Sequence, residues 1–291
     1  MSRILLTGAS GFVGGHLARG LLDDGQQVFA VLRPGASTAD LDPRVQVLVH
    51  DGSTEGLHAL VRQAAPDAAV HVASKFTAVH GPGDIDALVE ANLRFGLQLL
   101  DALAREGVTR LVNFGTAWQH YQTDGYRPVS LYAATKQAFE DLAAYYADAA
   151  GLRVVTLRLS DTYGPRDRRG KLVSALIAAM RSGRSMALSP GEQVLNPVHV
   201  DDVVEAVRIA LAREAGGAFA VRGLEEVTLR GLVETLEGLT GRPVPVEWGA
   251  RPYRDREVMT PWRGEILPGW TPRIGLQTGL RALLDEAAHA A

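Results

Sequence analysis

The chain of 291 residues has no cysteine at all and only three lysines beside 27 arginines. Without cysteine it can form no disulfide, no thiolate nucleophile and no cysteine-ligated metal site, and we expect no metal centre. No run of about 18 uncharged apolar residues occurs, so no membrane-spanning helix is predicted. The apolar residues Ile4–Leu6 give way to glycine and polar residues too soon for a signal peptide. These absences favour a cytoplasmic protein with no membrane partner.

An excess of basic charge is also missing. The formal net charge is -3, and no predicted helix carries a basic stripe, so we expect no nucleic-acid partner. Hydrophobic residues make up 46% of the chain and charged residues 22%, as in ordinary globular proteins. A chain of this length can bury a large core in one bilobed domain or in two small domains.

Short apolar runs alternate with helical patterns through the first half of the chain. The predicted strands are Arg3–Leu6, Gln27–Leu32, Val45–Val49, Ala68–Ala73, Arg110–Phe114 and Val154–Leu159, and the predicted helices are Gly14–Asp23, Ile85–Arg105, Leu131–Ala150 and Val200–Arg213. Apolar strands separated by helices are typical of a parallel sheet that is covered on both faces. With right-handed crossovers this pattern predicts a doubly wound α/β fold.

The regular alternation fades after Gly164-Pro165. Prolines become frequent in the segment 241–270, which suits a smaller lobe that shapes a pocket over the sheet. We therefore predict a dinucleotide-binding domain at 1–165 with a return segment at about 196–214. The remaining segments, 166–195 and 215–291, are predicted to form a smaller C-terminal substrate-binding lobe.

A glycine-rich turn follows the first predicted strand and opens the first predicted helix. Gly8 would permit the tight turn, Gly11 the approach of a pyrophosphate to the backbone, and Gly14 the packing of helix on strand. An ordinary turn with flexible glycines is the alternative. We assign a dinucleotide site to Gly8, Ser10, Gly11, Phe12, Val13 and Gly14.

The end of the second predicted strand bears on the choice between NAD and NADP. An acidic residue there would bind the ribose 2′-hydroxyl of NAD, whereas an arginine suits the 2′-phosphate of NADP. Here the strand ends in Arg33, and the next acidic residue is Asp40. Arg33 can also be a solvated loop charge. We expect NADP(H) as the cofactor, with NAD(H) as the alternative.

Tyr132 and Lys136 stand one turn apart on a predicted helix. An ammonium near a phenol favours the phenolate, so that a proton can pass to or from a carbonyl oxygen. Thr116 follows the fifth strand, where its hydroxyl can hold the substrate oxygen or merely cap a turn. A tyrosine and a lysine at this spacing can also be ordinary packing residues. We predict Thr116, Tyr132 and Lys136 as the catalytic residues.

Motifs along nearly the whole chain resemble the extended short-chain dehydrogenase/reductase family, in the branch that modifies nucleotide-activated sugars. The matching segments are Thr7–Gly14, Asp51-Gly52, Val70–Ala73, Asn92, Tyr132 with Lys136, Tyr163–Pro165 and Val198–Val203. The resemblance implies a Rossmann sheet in which Asp51 and Gly52 flank the adenine. It also implies that Ala73 and Asn92 flank the dinucleotide, and that Tyr132 and Lys136 contact it as well.

The chain departs from the dehydratases of that branch directly after Thr116. Those enzymes carry Asp-Glu there, as acid and base for removing water, whereas this chain has Ala117-Trp118. The segments Gly115–Tyr121, Leu131–Asp141 and Asp161–Pro165 are similar to reductases of nucleotide-linked 4-keto-6-deoxyhexoses. The resemblance implies reduction of the 4-keto group of a nucleotide-diphosphate-linked deoxysugar, with Tyr132 as proton donor, and Arg33 points to NADP(H) as the cofactor of this reaction. A 4-epimerase with tightly bound NAD and a non-catalytic NADP-sensing regulator are the alternatives.

A run of charges, Arg166–Arg169 with Lys171, lies where the smaller lobe is predicted to begin. Guanidinium groups suit a substrate diphosphate, although such a run is more often a solvated loop. The candidate substrate-binding residues are Trp118, His120, Asp161, Arg168, Lys171 and Asn196. Helix Leu131–Ala150 is apolar nearly all round, which indicates that it is buried on more than one side. Its outer face can pair with Asn92–Arg105 across a two-fold axis, as is usual in the family, so we expect a homodimer.

Overall fold

The computed structural model describes residues 1–289. The strands are β1 (Arg3–Thr7), β2 (Gln27–Leu32), β3 (Gln46–Val49), β4 (Ala68–His71), β5 (Arg110–Thr116), β6 (Arg153–Leu159), β7 (Thr162–Tyr163), β8 (Met186–Ala187), β9 (Val194–Leu195), β10 (Val198–His199), β11 (Gly217–Val221), β12 (Val227–Thr228) and β13 (Val246–Glu247). The helices are α1 (Phe12–Asp23), α2 (Thr54–Ala64), α3 (Ile85–Val89), α4 (Phe95–Arg105), α5 (Leu131–Ala150), α6 (Leu172–Ser182), α7 (Val200–Ala212), α8 (Leu229–Thr240) and α9 (Leu276–His289). No helix in this part of the chain is long and apolar enough to cross a membrane.

Seven strands form one parallel sheet in the order β11-β6-β5-β4-β1-β2-β3. The chain runs outward from β1 to β3 and then returns to place β4 on the other side of β1. Separate clusters of buried apolar side chains, which include Leu6 in one and Leu5 in the other, cover the two faces. The prediction of a doubly wound α/β fold is therefore confirmed.

The bounds of β2 and α5 are those predicted from the sequence. Helix α5 begins where the Ser130 side chain accepts a hydrogen bond from the Ala133 amide, and it ends at Gly151, whose φ is 66°. The predicted helix Ile85–Arg105 is continuous but contains a π-helical turn at Glu90–Arg94. Helix α2 was not predicted, although it buries Leu57, Val61 and Ala64.

A third apolar cluster forms the core of the smaller lobe, and it lies between α6, α8 and α9. One segment differs from the predicted division of the chain. The range 215–291 was predicted to belong to the lobe, but β11 pairs in parallel with β6 and extends the central sheet. Because this pairing places 217–221 in the sheet, we propose that the lobe resumes after Val221.

Candidate active site

The carboxyl ends of the central strands open into a cleft of about 1400 Å³. Ligands of doubly wound folds bind where the strand order reverses, which is between β1 and β4 here. The predicted residues that line the cleft are Gly8, Ser10, Gly11, Phe12, Val13, Gly14, Arg33, Asp51, Gly52, Ala73, Thr116, Trp118, Tyr132, Lys136, Asp161 and Lys171. The volume exceeds that of an ordinary small-molecule pocket and leaves room for two ligands side by side.

The glycine-rich turn is closely packed where it enters α1. Gly8 has a φ of +77°, and a Cβ there would lie 2.6 Å from the Ala73 nitrogen. At Gly14 a Cβ would lie 2.0 Å from the Gly8 carbonyl oxygen. No side chain caps the N-terminus of α1, and its first turn holds no acidic residue. These features fit a dinucleotide, because the backbone amides and positive end of the helix suit a pyrophosphate.

Residues that follow β2 and β3 occupy the rim of the cleft. Arg33 is exposed directly after β2. The Asp51 carboxylate accepts hydrogen bonds from the Ser53 amide and hydroxyl, both at 2.8 Å, and these bonds lower its pKa. Gly52 adopts a φ of +91°, which favours glycine. This rim is where the adenosine part of a dinucleotide would lie.

Asn92 differs from the expectation that it flanks the dinucleotide. It is buried in the π-helical turn and does not line the cleft. Its Oδ1 accepts from the Lys75 amide at 2.7 Å, and its Nδ2 donates to the Lys75 carbonyl at 3.0 Å and to Thr135 at 2.8 Å. Asn92 therefore positions the loop after β4.

Tyr132 lies half-buried at the cleft, and Lys136 is buried one turn later on α5. Burial raises the pKa of Tyr132 to about 12, while the Ser74 hydroxyl and the Arg169 charge lower it. Burial also lowers the pKa of Lys136 to about 8, against the charge of Glu140. Burial is the largest influence on the pKa of the phenol, and the expectation that Lys136 lowers this pKa stays a prediction. At neutral pH the phenol therefore carries its proton.

Thr116 ends β5 and lines the cleft beside these groups. Its Oγ1 accepts a hydrogen bond from the Trp118 amide at 3.2 Å, which caps the short 3₁₀ turn Ala117–Gln119. The hydroxyl proton is not used in that bond. Thr116 can thus cap the turn and still donate to an oxygen in the cleft, so the two readings of this residue are compatible.

Aromatic side chains form a wall against Tyr132. The Phe76 ring meets Tyr132 edge-on with centroids 5.0 Å apart, and it lies 5.7 Å from the Trp118 ring. The Lys171 ammonium stands 3.2 Å from the centre of the Phe76 ring, and Arg254 lies 5.0 Å from that of Trp118. The wall offers an apolar surface next to the phenol, with two cations above it.

Asp161 also faces the cleft, where its side chain is exposed to the concave surface. The surrounding protein raises the pKa of this carboxyl above its ordinary value, and the charges of Lys171 and Arg254 oppose that rise. A carboxyl between two cations can accept hydrogen bonds from hydroxyl groups of a ligand.

Three predicted substrate residues lie away from the cleft. His120 is buried, stacks on Trp262 at 4.0 Å and hydrogen-bonds the Gly125 carbonyl oxygen at 2.9 Å. Arg168 projects outward and pairs with Asp40 at 2.9 Å. The Asn196 Nδ2 donates to the Gly223 and Glu225 carbonyl oxygens. Each is held by partners outside the cleft, and none of the three lines it in this structure.

The structure adds cleft residues that sequence reasoning missed: Ser74, Lys75, Phe76, Arg169, Arg254 and Glu257. The charge run did indicate the correct segment, but Arg169, not Arg168, turns inward and lies 4.2 Å from the Phe12 ring centre. Arg254 comes from an irregular proline-containing segment without any recognisable motif. Within residues 1–289 no cluster of histidine and carboxylate groups could hold a metal ion.

Comparison with known proteins identifies the family. The model of the family described as "NAD dependent epimerase/dehydratase family" matches residues 4–221, more than half of the chain. The chain belongs to this family. The match ends at the last residue of β11 and covers the central sheet apart from Arg3, the first residue of β1. The chain is accordingly an enzyme of the oxidoreductase type that uses a nicotinamide dinucleotide, and the prediction of an enzyme is confirmed.

Several members of the epimerase/dehydratase family are similar over almost their full length. A CDP-abequose synthase of Yersinia pseudotuberculosis is 26% identical over 89% of this chain and 91% of its own. A dTDP-glucose 4,6-dehydratase of Streptomyces griseus is 27% identical over 97% and 92%. The crystal structure of Thermus thermophilus UDP-glucose 4-epimerase with NAD superposes with a TM-score of 0.87 at 28% identity, covering 99% and 100%.

Proposed function

We propose that this enzyme reduces the 4-keto group of a nucleotide-diphosphate-linked deoxysugar with NADP(H). The observation that carries the proposal is the surface around Tyr132. A protonated phenol faces the cleft beside the apolar wall of Phe76 and Trp118. The two residues after Thr116 are Ala117 and Trp118, which cannot act as the acid and base that a dehydratase needs at these positions. Reduction needs a proton donor at a carbonyl, and the site provides one.

In the proposed reaction the hydride would come from a nicotinamide dinucleotide held at the glycine-rich turn. The Tyr132 Oη donates its proton to the carbonyl oxygen of the sugar, and the Thr116 Oγ1 donates a hydrogen bond to the same oxygen. Lys136 would hold the nicotinamide ribose and keep positive charge close to the phenol. Lys171, Arg169 and Arg254 place cations where the substrate diphosphate would lie. The apolar wall excludes water from the reacting carbon.

The similarity to CDP-abequose synthase and to dTDP-glucose 4,6-dehydratase supports a nucleotide-linked sugar as substrate. A 4-epimerase is the second candidate function, favoured by the 28% identity and full coverage of the UDP-glucose 4-epimerase structure with NAD. An epimerase uses the same tyrosine to oxidise and then to re-reduce one carbon. It would retain its nicotinamide, whereas a reductase must exchange it after every turnover.

A panel of nucleotide-linked substrates tests the proposal. We expect NADPH oxidation with one or more nucleotide-linked 4-keto-6-deoxyhexoses, and a purified enzyme free of tightly held cofactor. Interconversion of UDP-glucose and UDP-galactose without added cofactor would support the epimerase instead. If no ketosugar in the panel is reduced, the reductase proposal is wrong.

We further propose a preference for NADPH over NADH, based on the exposed Arg33 at the rim. A guanidinium bond to the 2′-phosphate contributes about 1.5–3 kcal/mol. Arg33→Ala should therefore raise KM for NADPH at least tenfold and leave KM for NADH nearly unchanged. Arg184→Ala, an exposed arginine of the smaller lobe outside the cleft, is the control. A wild-type enzyme that prefers NADH would contradict this proposal.

The homodimer and the cytoplasmic location remain predictions. Exposed apolar side chains on the outer surface of α4 and α5, such as Leu97 and Tyr145, suit a second copy of the chain. Sedimentation equilibrium of the purified protein tests this, and a monomer at micromolar concentration would contradict it.

A further inference from the structure

A buried ion pair lies behind the reacting groups, on the side of β5 that faces α5. Glu140 and Arg158 form two hydrogen bonds, and their side chains are only 9% and 16% exposed. His120 accepts a third bond from Arg158 at 3.0 Å, because its Nδ1 donates to the Gly125 carbonyl oxygen. A buried pair of this kind contributes little net stability, since removing two charges from water is costly. Its presence next to the site suggests another role.

The pair is connected to Thr116 through Gln119, which is fully buried. The Thr116 amide donates to the Gln119 Oε1 at 2.9 Å, and the Gln119 Nε2 donates to a Glu140 oxygen at 2.9 Å. The packing around this connection is close, because a Cβ at Gly115 would lie 2.8 Å from the Glu140 carboxylate and 2.9 Å from Gln119. The end of β5 is therefore held against Glu140.

Glu140 is also one helical turn after Lys136 on α5. No ion pair joins Lys136 to a carboxylate anywhere in residues 1–289, and Glu140 supplies the opposing charge that acts on its ammonium. The other ionisable groups near Lys136 are Tyr132 and His71. His71 bonds Thr7 at 2.8 Å, and burial lowers its pKa to about 3, so it adds no charge at neutral pH.

We propose that Glu140 is a positioning residue for this active site: clamped by Arg158, it holds Thr116 through Gln119 and places its carboxylate one helical turn from the buried Lys136 ammonium. This inference rests on the proposed roles of Thr116 and Lys136. Arg158 holds the Glu140 carboxylate in place, so that it stays hydrogen-bonded to Gln119 and close to Lys136. Glu140 itself does not line the cleft.

The direct test measures the titration of Lys136 in the full-length protein without ligand. The chain has only three lysines, so carbon-13 labelling of lysine gives three Cε signals, and Lys136→Met assigns one of them. Removing the Glu140 charge leaves burial unopposed, so the ammonium should lose its proton at lower pH. We expect Glu140→Gln to lower the midpoint of Lys136 by roughly one pH unit. Asp148→Asn, at an exposed position of the same helix, should leave it unchanged.

Glu140→Gln leaves Arg158 unpaired and can prevent folding. The double variant Glu140→Gln/Arg158→Met removes both charges and leaves neither unpaired. It should also lower the midpoint, but by less than Glu140→Gln, because losing the positive charge of Arg158 favours the ammonium. Glu140→Asp keeps the charge and should restore most of the wild-type midpoint. A midpoint equal to that of the wild type in a folded variant that lacks Glu140 would overturn the inference.

Kinetics then separate this inference from the proposed function. With an active ketosugar, Glu140→Gln or the double variant should lower kcat about tenfold, move the alkaline limb of kcat to lower pH and leave KM for NADPH unchanged. A fall in thermal stability with an unmoved limb would mean that the pair is merely structural. If the wild type reduces no ketosugar but the Lys136 midpoint still shifts, the proposed function fails while the electrostatic role of Glu140 stands.

Discussion

Replacing Tyr132 by phenylalanine should lower kcat for ketosugar reduction by about 10³-fold, because general acid catalysis contributes about 10²–10⁴-fold and the phenol is the proposed proton donor. The phenylalanine ring can keep the edge contact with Phe76, which involves the ring and not the hydroxyl. NADPH binding should therefore remain close to that of the wild type. Stopped-flow NADPH oxidation measures the first effect, and fluorescence titration with NADPH measures the second.

Tyr145→Phe is the matched control, since Tyr145 lies on the same helix but is 66% exposed. It should leave kcat unchanged. Undiminished turnover in Tyr132→Phe would assign the proton to another group, and Ser74, whose hydroxyl lowers the pKa of the phenol, would be the next to test.

The pH dependence of kcat follows from the same two groups. With its pKa raised to about 12, Tyr132 stays protonated well above neutral pH. Lys136, with its pKa lowered to about 8, loses its charge first. The alkaline decline of kcat should therefore begin near pH 8 and reflect Lys136.

The second large effect is expected at the glycine-rich turn. Gly14→Ala should abolish cofactor binding and destabilise the fold by about 3 kcal/mol, because the new Cβ would lie 2.0 Å from the Gly8 carbonyl oxygen. A backbone atom cannot rotate away as a flexible side chain can. The turn must open instead, which displaces the amides at the start of α1. Thermal unfolding and NADPH titration measure the two consequences.

The neighbouring Gly15 provides the control for this prediction. A Cβ there would lie 3.5 Å from the Ala9 carbonyl oxygen, which is an ordinary contact. Because alanine is favoured over glycine inside a helix by about 1 kcal/mol, Gly15→Ala should be neutral or stabilising. Equal behaviour of the two variants would show that close packing at Gly14 is not what the turn requires.

The local sequence pattern was sufficient to predict those features that depend on one short segment of the chain. The glycine spacing, the helical spacing of Tyr132 and Lys136, and the bounds of β2 and α5 could all be read directly. Helix α2 was not predicted, although Ser53 caps its N-terminus by accepting a hydrogen bond from the Gly56 amide. The π-helical turn around Asn92 was also missed, because it does not interrupt the apolar pattern of the surrounding helix.

The side chains that face the substrate could not be chosen by local pattern. In the charge run, Arg168 and Arg169 have the same chemistry, yet only Arg169 turns into the cleft while Arg168 pairs with Asp40, 128 residues away. His120 and Asn196 were equally plausible substrate-binding residues. However, Trp262 stacks on His120, and the backbone carbonyls of two distant residues bind Asn196, so both side chains are held inside the protein. Long-range contacts decided each case.

The amino-acid sequence by itself determined the alternation of strands and helices, the glycine-rich turn and the spacing of Tyr132 and Lys136, since each depends on neighbours within a few residues. Only the tertiary structure decided that β11 joins the sheet, that Phe76 and Trp118 form the wall beside the phenol, and that Glu140 is joined to Thr116. These contacts link parts of the chain that are far apart in sequence. Packing and burial determine these contacts, and the spacing of residues within a short segment predicts neither packing nor burial.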